Sequence, residues 1–129
     1  MTTDNSPQIA LVTGAAGGMG AAISKALLQS GHRVILADRD ADAVRKLAAE
    51  LGEAALPLPL DITDKAAVDG ILDNLPPKWR RVDILVNNAG HDIGGRTRFD
   101  LGSADDWSAI IETNLIGLMR VTRALLPRW

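Results

Sequence analysis

Apolar and polar positions fall into two alternating kinds of block along this chain. Four short apolar runs, Gln8 to Thr13, His32 to Asp38, Ala54 to Asp61 and Val82 to Asn87, have the length and continuity of buried strands. The last of them is too apolar to leave one face wet. Between the runs, apolar residues recur at helical spacing. The pattern predicts helices from about Gly18 to Ser30, Asp40 to Leu51, about Lys65 to Leu75 and about Ala104 to Leu126. In the second of these Val44, Leu47, Ala48 and Leu51 share a face.

The punctuation agrees with the pattern. Gly31 and Gly52 stand just past the first two helices, where glycine tolerates left-handed φ. Thr63 or Asp64 caps the third helix, and Pro76-Pro77 stops it. Ser103-x-x-Asp106 resembles a capping box at the start of the last, which Pro127 ends. Pro57 and Pro59 cannot donate ladder hydrogen bonds, so the third strand belongs at a sheet edge. Met1 to Pro7 is a loose polar lead-in, and no repeat or linker interrupts the rest. The order βαβαβαβα predicts a parallel sheet covered by helices on both sides.

Composition narrows the class. A chain of 129 residues suits one domain with its own core, and 47% hydrophobic content sets it apart from disordered chains. A formal net charge of −2 argues against a nucleic-acid or anionic-membrane surface. Without cysteine there is no disulfide frame, thiolate zinc site or cysteine nucleophile. His32 and His91 offer no metal spacing. No run approaches ~18 apolar residues, and Met1 to Pro7 lacks the apolar segment of a signal peptide. A cytoplasmic protein is the expectation.

Candidate chemistry gathers where strands end. Gly14-x-x-x-Gly18-x-Gly20 joins the first strand to the first helix. Unpaired N–H groups at a helix start, and the helix dipole, favour a phosphate there, and glycine lets it approach the backbone. The spacing differs from the Gly-x-Gly-x-x-Gly of most dinucleotide-binding folds. Asp38 ends the second strand. A carboxylate there can accept from both ribose hydroxyls and repels a 2′-phosphate, which favours NAD over NADP. Otherwise Asp38 merely opens the turn Asp38-Arg39-Asp40-Ala41-Asp42, and Arg39 could accept a phosphate, which keeps NADP possible. Asn87-Asn88 leaves a buried strand, so its amides either brace the sheet or hold a ligand.

Thr13-Gly14-x-x-x-Gly18-x-Gly20, Asn87-Asn88-Ala89-Gly90 and Asn114 within Thr113-Asn114-Leu115-Ile116-Gly117 together resemble the short-chain dehydrogenase/reductase family, over Gln8 to Pro127. The resemblance implies an α/β fold, a Rossmann-type doubly wound parallel sheet in three α/β/α layers, incomplete here and of strand order 3-2-1-4. It implies an NAD(P)-dependent oxidoreductase moving hydride between nicotinamide and an alcohol or carbonyl substrate. Gly14, Gly18, Met19 and Gly20 would hold the cofactor at the turn, Asp38 its ribose, and Asp61 with Ile62 the edge and face of adenine. Asn88, Ala89 and Gly90 would line the ribose and nicotinamide side. Asp61 read alone is a solvated capping residue, and Asn114 read alone is a packing or surface residue. In the resembled family Asn114 belongs to the catalytic group, holding a water that links the catalytic lysine to solvent. The loop His91 to Phe99 would begin the substrate pocket, with Arg96 or Arg98 pairing a substrate anion or simply solvated. Homo-oligomers, dimers or tetramers, are implied, partly through the helix matching Asp105 to Leu126.

Residues 1–129 are thus expected to be the dinucleotide-binding N-terminal part of one such domain. The family's later serine and Tyr-x-x-x-Lys pair have no counterpart: the chain has no tyrosine, and Ser6, Ser24, Ser30, Ser103 and Ser108 stand elsewhere. The chain alone is expected to be inactive and, with its fourth strand an open edge, prone to associate. The alternatives are a naturally short non-catalytic protein that binds a dinucleotide or pairs with a relative, and a fold for an adenine nucleotide without nicotinamide. The last has no need of Asn-Asn-Ala-Gly or Asn114.

Overall fold

The computed structural model describes residues 7–90, 98 and 100–126. Strands β1 (Ile9–Thr13), β2 (Arg33–Asp38), β3 (Ala55–Pro59) and β4 (Ile84–Val86) form one sheet in the order β3-β2-β1-β4. Every pair is parallel. Helices α1 (Gly18–Gln29) and α2 (Ala41–Leu51) follow the first two strands, and α3 (Lys65–Asp69) and α4 (Ile71–Asn74) follow the third. After β4 come α5 (Ala104–Ile111) and α6 (Leu118–Leu125).

Side chains alternate across a strand, so each strand feeds two cores. Leu11, Ile35 and Ala37 pack with Val68, Ile71, Leu75, Val121 and Leu125, which covers one face with α3, α4 and α6. Val12, Val34 and Leu36 pack with Val44, Ala48 and the half-buried Ile23 and Leu27, which covers the other with α1 and α2. The predicted helical face of Val44, Leu47, Ala48 and Leu51 points into this second core. β1 is buried along its whole length, as a central strand between two layers must be. β3, with its two prolines, lies at the edge beside β2.

Three local features depart from the predicted pattern. The third helix breaks at Gly70, a poor helix former, into α3 and α4. Its cap is Asp64, whose Oδ1 accepts from the Ala67 N–H at 3.2 Å. Arg80 then returns to donate to the carbonyls of Leu75 (2.9 Å) and Asp73 (3.2 Å), and the Arg33 guanidinium lies 3.9 Å from the Trp79 ring centroid. Second, β4 is shorter than Val82 to Asn87 and only half-buried, with no strand beyond it among the described residues. An aspartate clamp precedes it: Ile9 N–H donates to Asp83 Oδ2 at 3.0 Å, and Asp83 N–H to the Ile9 carbonyl at 2.8 Å. Third, the long last helix is interrupted by a π-helical turn, Glu112–Gly117, between α5 and α6. Its start is as predicted, a reciprocal capping box of Ser103 and Asp106 with both bonds at 3.1 Å. Readings placed on Met1 to Ser6, on His91 to Thr97 including Arg96, on Phe99 and on Pro127 lie outside the described residues.

Candidate functional site

In a parallel sheet all strand C-termini open on one side, and there the loops after the four strands enclose a cleft of about 480 Å³. Every residue assigned above to the cofactor, from Gly14 in the turn to Gly90 after β4, lines it. Arg39, Leu60 and Thr113 line it too.

The three glycines of the turn do different work. Gly14 has φ +64°, open to glycine at little cost, and a β-carbon on it would stand 2.9 Å from Ala89 Cα. A β-carbon on Gly20 would overlap the Gly14 carbonyl oxygen and crowd Asn88. These two glycines let the turn, α1 and the Asn-Asn-Ala-Gly segment close on one another. Gly18 is the opposite case, with no atom within 4 Å of where its β-carbon would stand. It opens α1, whose N-terminus carries no side-chain cap. First-turn N–H groups of a helix need outside partners, and an anion in the cleft would supply them.

Thr13, buried at the end of β1, ties the site together. Its Oγ1 accepts from the N–H groups of Asn88 and Ala89, both at 3.0 Å, and donates toward the Val86 carbonyl at 3.4 Å. Asn88 Nδ2 donates to the Gly14 carbonyl at 3.2 Å, and Asn87 Nδ2 to Thr122 Oγ1 on α6 at 3.1 Å. Both amides therefore brace the scaffold, while Asn88 also lines the cleft.

Two carboxylates stand at strand ends, Asp38 as the last residue of β2 and Asp61 two residues past β3. Asp38 accepts from the Ala16 N–H (Oδ2, 3.0 Å) and the Asp40 N–H (Oδ1, 3.0 Å), which fixes it across the glycine turn. An ionised carboxylate has about four acceptor sites, so capacity remains for ligand hydroxyls. Asp61 Oδ1 accepts from Thr63 Oγ1 (2.6 Å) and Thr63 N–H (2.9 Å). These bonds, the hydroxyl's first, with the charge of Arg39 behind them, outweigh desolvation and hold the Asp61 carboxyl below its ordinary value. Ile62 is buried against the long helix: a β-carbon on Gly117 would stand 2.9 Å from its Cγ1 and Cδ1.

Asn114 is exposed and sits in the π turn. Its Oδ1 lies 3.5 Å from where a β-carbon on Gly90 would stand, so it borders the cleft wall. Arg98 is exposed and paired with Asp100 at 2.8 Å. Sequence reasoning missed the hub role of Thr13, although a hydroxyl closing a buried strand must find partners. It also missed the π turn, for which a run of apolar periodicity carries no signal. Among the described residues no cluster of three or more His, Asp or Glu could hold a metal ion, and no helix is long and apolar enough to cross a membrane.

Fold and cleft together define a Rossmann-type α/β protein with its candidate site at the carboxyl ends of the strands. The chain belongs to the short-chain dehydrogenase family, whose model matches residues 8–129. It is 41% identical over 119 residues to the NADP-dependent 3-hydroxy acid dehydrogenase YdfG of Salmonella typhi, covering 92% of this chain and 48% of the relative. The solved serine dehydrogenase of Escherichia coli superposes with a TM-score of 0.87 at 40% identity, over 94% of this chain and 56% of that one. The closed form of serine dehydrogenase complexed with NADP+ gives a TM-score of 0.88 at 40% identity, over 94% and 48%. The chain thus spans about half the length of the curated relatives it matches.

Proposed function

We propose that the cleft binds a nicotinamide adenine dinucleotide, NAD in preference to NADP, and that these residues form the cofactor half of an oxidoreductase interconverting an alcohol and a carbonyl compound. The observation that supports it is the convergence of an uncapped helix N-terminus, a fixed carboxylate and a polar turn on one cleft. The α1 N-terminus beside Gly18 would take the pyrophosphate, Asp38 the ribose hydroxyls, and Asp61 with Ile62 the adenine. Asn88, Ala89 and Gly90 would lie along the nicotinamide side. When bound, the cofactor supplies the hydride acceptor or donor. Asn114 would hold a water at the edge of the cleft.

The cofactor preference rests on Asp38 against the names of the relatives, which specify NADP. A carboxylate ~5 Å from a phosphate dianion costs on the order of 2–7 kcal/mol between surface and bulk dielectrics. Arg39, which also lines the cleft, offsets part of this. Relatives named for 3-hydroxy acids and for serine make small β-hydroxy acids the first alcohols to test. Turnover is proposed only of a protein that also carries a proton-exchanging Tyr-x-x-x-Lys pair, since these 129 residues include no tyrosine. A second reading is a non-catalytic protein that binds the dinucleotide or pairs with another subunit. Ile111, Leu115 and Met119, exposed four residues apart along the long helix, support pairing into a homo-oligomer in either case.

Titration calorimetry of NAD and NADP tests the binding reading. Asp38→Ala should weaken NAD by about 10- to 100-fold, the worth of charge-assisted hydrogen bonds, and leave NADP unchanged or tighter. Equal losses would remove the ribose role. A wild-type chain that binds neither dinucleotide would overturn the cofactor reading altogether.

A further inference from the structure

Asn114 lies inside the π turn Glu112–Gly117, with regular α-helix on both sides. One ion pair spans the whole turn: Glu112 Oε1 stands 3.0 Å from Arg120 Nη1, each side chain about one-third exposed. The spacing of eight residues is unusual for such a pair. In an uninterrupted α-helix, eight residues rotate by roughly 800°, which leaves the two positions ~80° apart around the axis and ~12 Å apart along it. A π turn takes in one extra residue. Position 120 then falls about where i+7 would, two turns on and within ~20° of the same face. Two long side chains can meet there. The pair therefore forms in the π register and comes apart in an all-α one.

The opposite side of the turn is fitted as closely. Gly117 packs its backbone on the buried Ile62, with no room for a β-carbon. An all-α register would rotate one half of the helix by ~100° relative to the other. Either Asn114 would leave Gly90 or Gly117 would leave Ile62.

We propose that Glu112 and Arg120 are positioning residues, an ionic strut that selects the π register and so holds the Asn114 carboxamide beside Gly90 at the cleft. Its functional meaning rests on the reading of Asn114 as a member of the catalytic group, but the register itself does not. The test uses this chain and no cofactor or turnover. Glu112→Gln and Arg120→Gln keep long polar side chains and remove the charge pair, while the double variant Glu112→Arg with Arg120→Glu restores it reversed. The readouts are the Asn114 side-chain amide resonance and amide hydrogen exchange from Thr113 to Leu118.

Each single variant should displace the Asn114 signal and speed exchange across the turn by about 2- to 5-fold, the range for a partly exposed pair, with exchange in β1 and α1 unchanged. The reversed pair should bring both back toward wild type. Single variants that leave the Asn114 resonance and the exchange untouched overturn the strut, and so does a reversed pair that restores neither. Loss of dinucleotide binding in the wild-type chain would instead count against the cofactor reading and leave these readouts standing.

Discussion

Alanine at Gly20 and alanine at Gly18 are the same chemical change two residues apart, and the structure expects opposite results. A β-carbon on Gly20 would overlap the Gly14 carbonyl oxygen and stand 2.8 Å from Asn88 Nδ2. The obstacle is backbone, pinned in turn by the 3.2 Å bond from Asn88, so it cannot swing aside. Alanine's better helix propensity returns about 1 kcal/mol. Overpacking costs about 1–3 kcal/mol, and displacing the Asn88 bond adds about 0.5–1.5 kcal/mol. The net is a loss of roughly 0.5–3.5 kcal/mol, or about 2–14 °C in Tm at roughly 4 °C per kcal/mol. Gly18→Ala meets no atom within 4 Å, so its stability should stay within about 0.5 kcal/mol of wild type. Its methyl would stand on the cleft wall, and dinucleotide affinity should fall. Scanning calorimetry and ligand titration on both variants settle the matter. A stable Gly20→Ala, or a Gly18→Ala that melts early and binds normally, would refute the division of labour among the glycines.

Two further substitutions probe the polar scaffold. Thr13→Val removes the acceptor of two N–H groups at a buried position, at about 1–3 kcal/mol for each donor left unpaired, while Thr13→Ser should recover most of the loss in urea midpoint. Thr63→Val removes the hydroxyl that chiefly holds the Asp61 carboxyl below its ordinary 3.8, so its titration, followed by carboxyl carbon NMR, should move up toward that value. A depressed carboxyl stabilises the fold above the unfolded-state value and loses that contribution as pH falls through the lower folded one. The wild type should therefore shed it below pH 3.8 and the variant nearer to it; an unmoved titration would show that the hydroxyl is not the cause.

The fold was legible because local and long-range signals agree. Continuous apolar runs mark buried parallel strands, Pro57 and Pro59 mark the edge, and Ser103 with Asp106 marks a helix start. The cleft was legible for a related reason: residues at strand ends must converge in a parallel sheet, so motifs far apart in sequence meet. What escaped the sequence depends on pairings that no local pattern records. The break at Gly70 was in principle visible, since glycine weakens any helix interior. The π turn was not, because the fit that goes with it, Gly117 against Ile62, is tertiary and leaves no mark in the periodicity of the helix. Thr13 joins β1 to a loop 75 residues away, and a single hydroxyl gives no hint of its partner.

The two prolines at the edge of the sheet have a consequence for how it can grow. Leu60 N–H points inward, donating to the Asp38 carbonyl at 2.9 Å, so by the alternation of a strand the nitrogens of Pro57 and Pro59 face outward. Where a newcomer would seek donors, it meets two missing rungs. The sheet is therefore sealed at its β3 end and extensible only past β4. Any strand that joins it, from this protein or another molecule, is steered to that single side, and the assembly has a built-in direction.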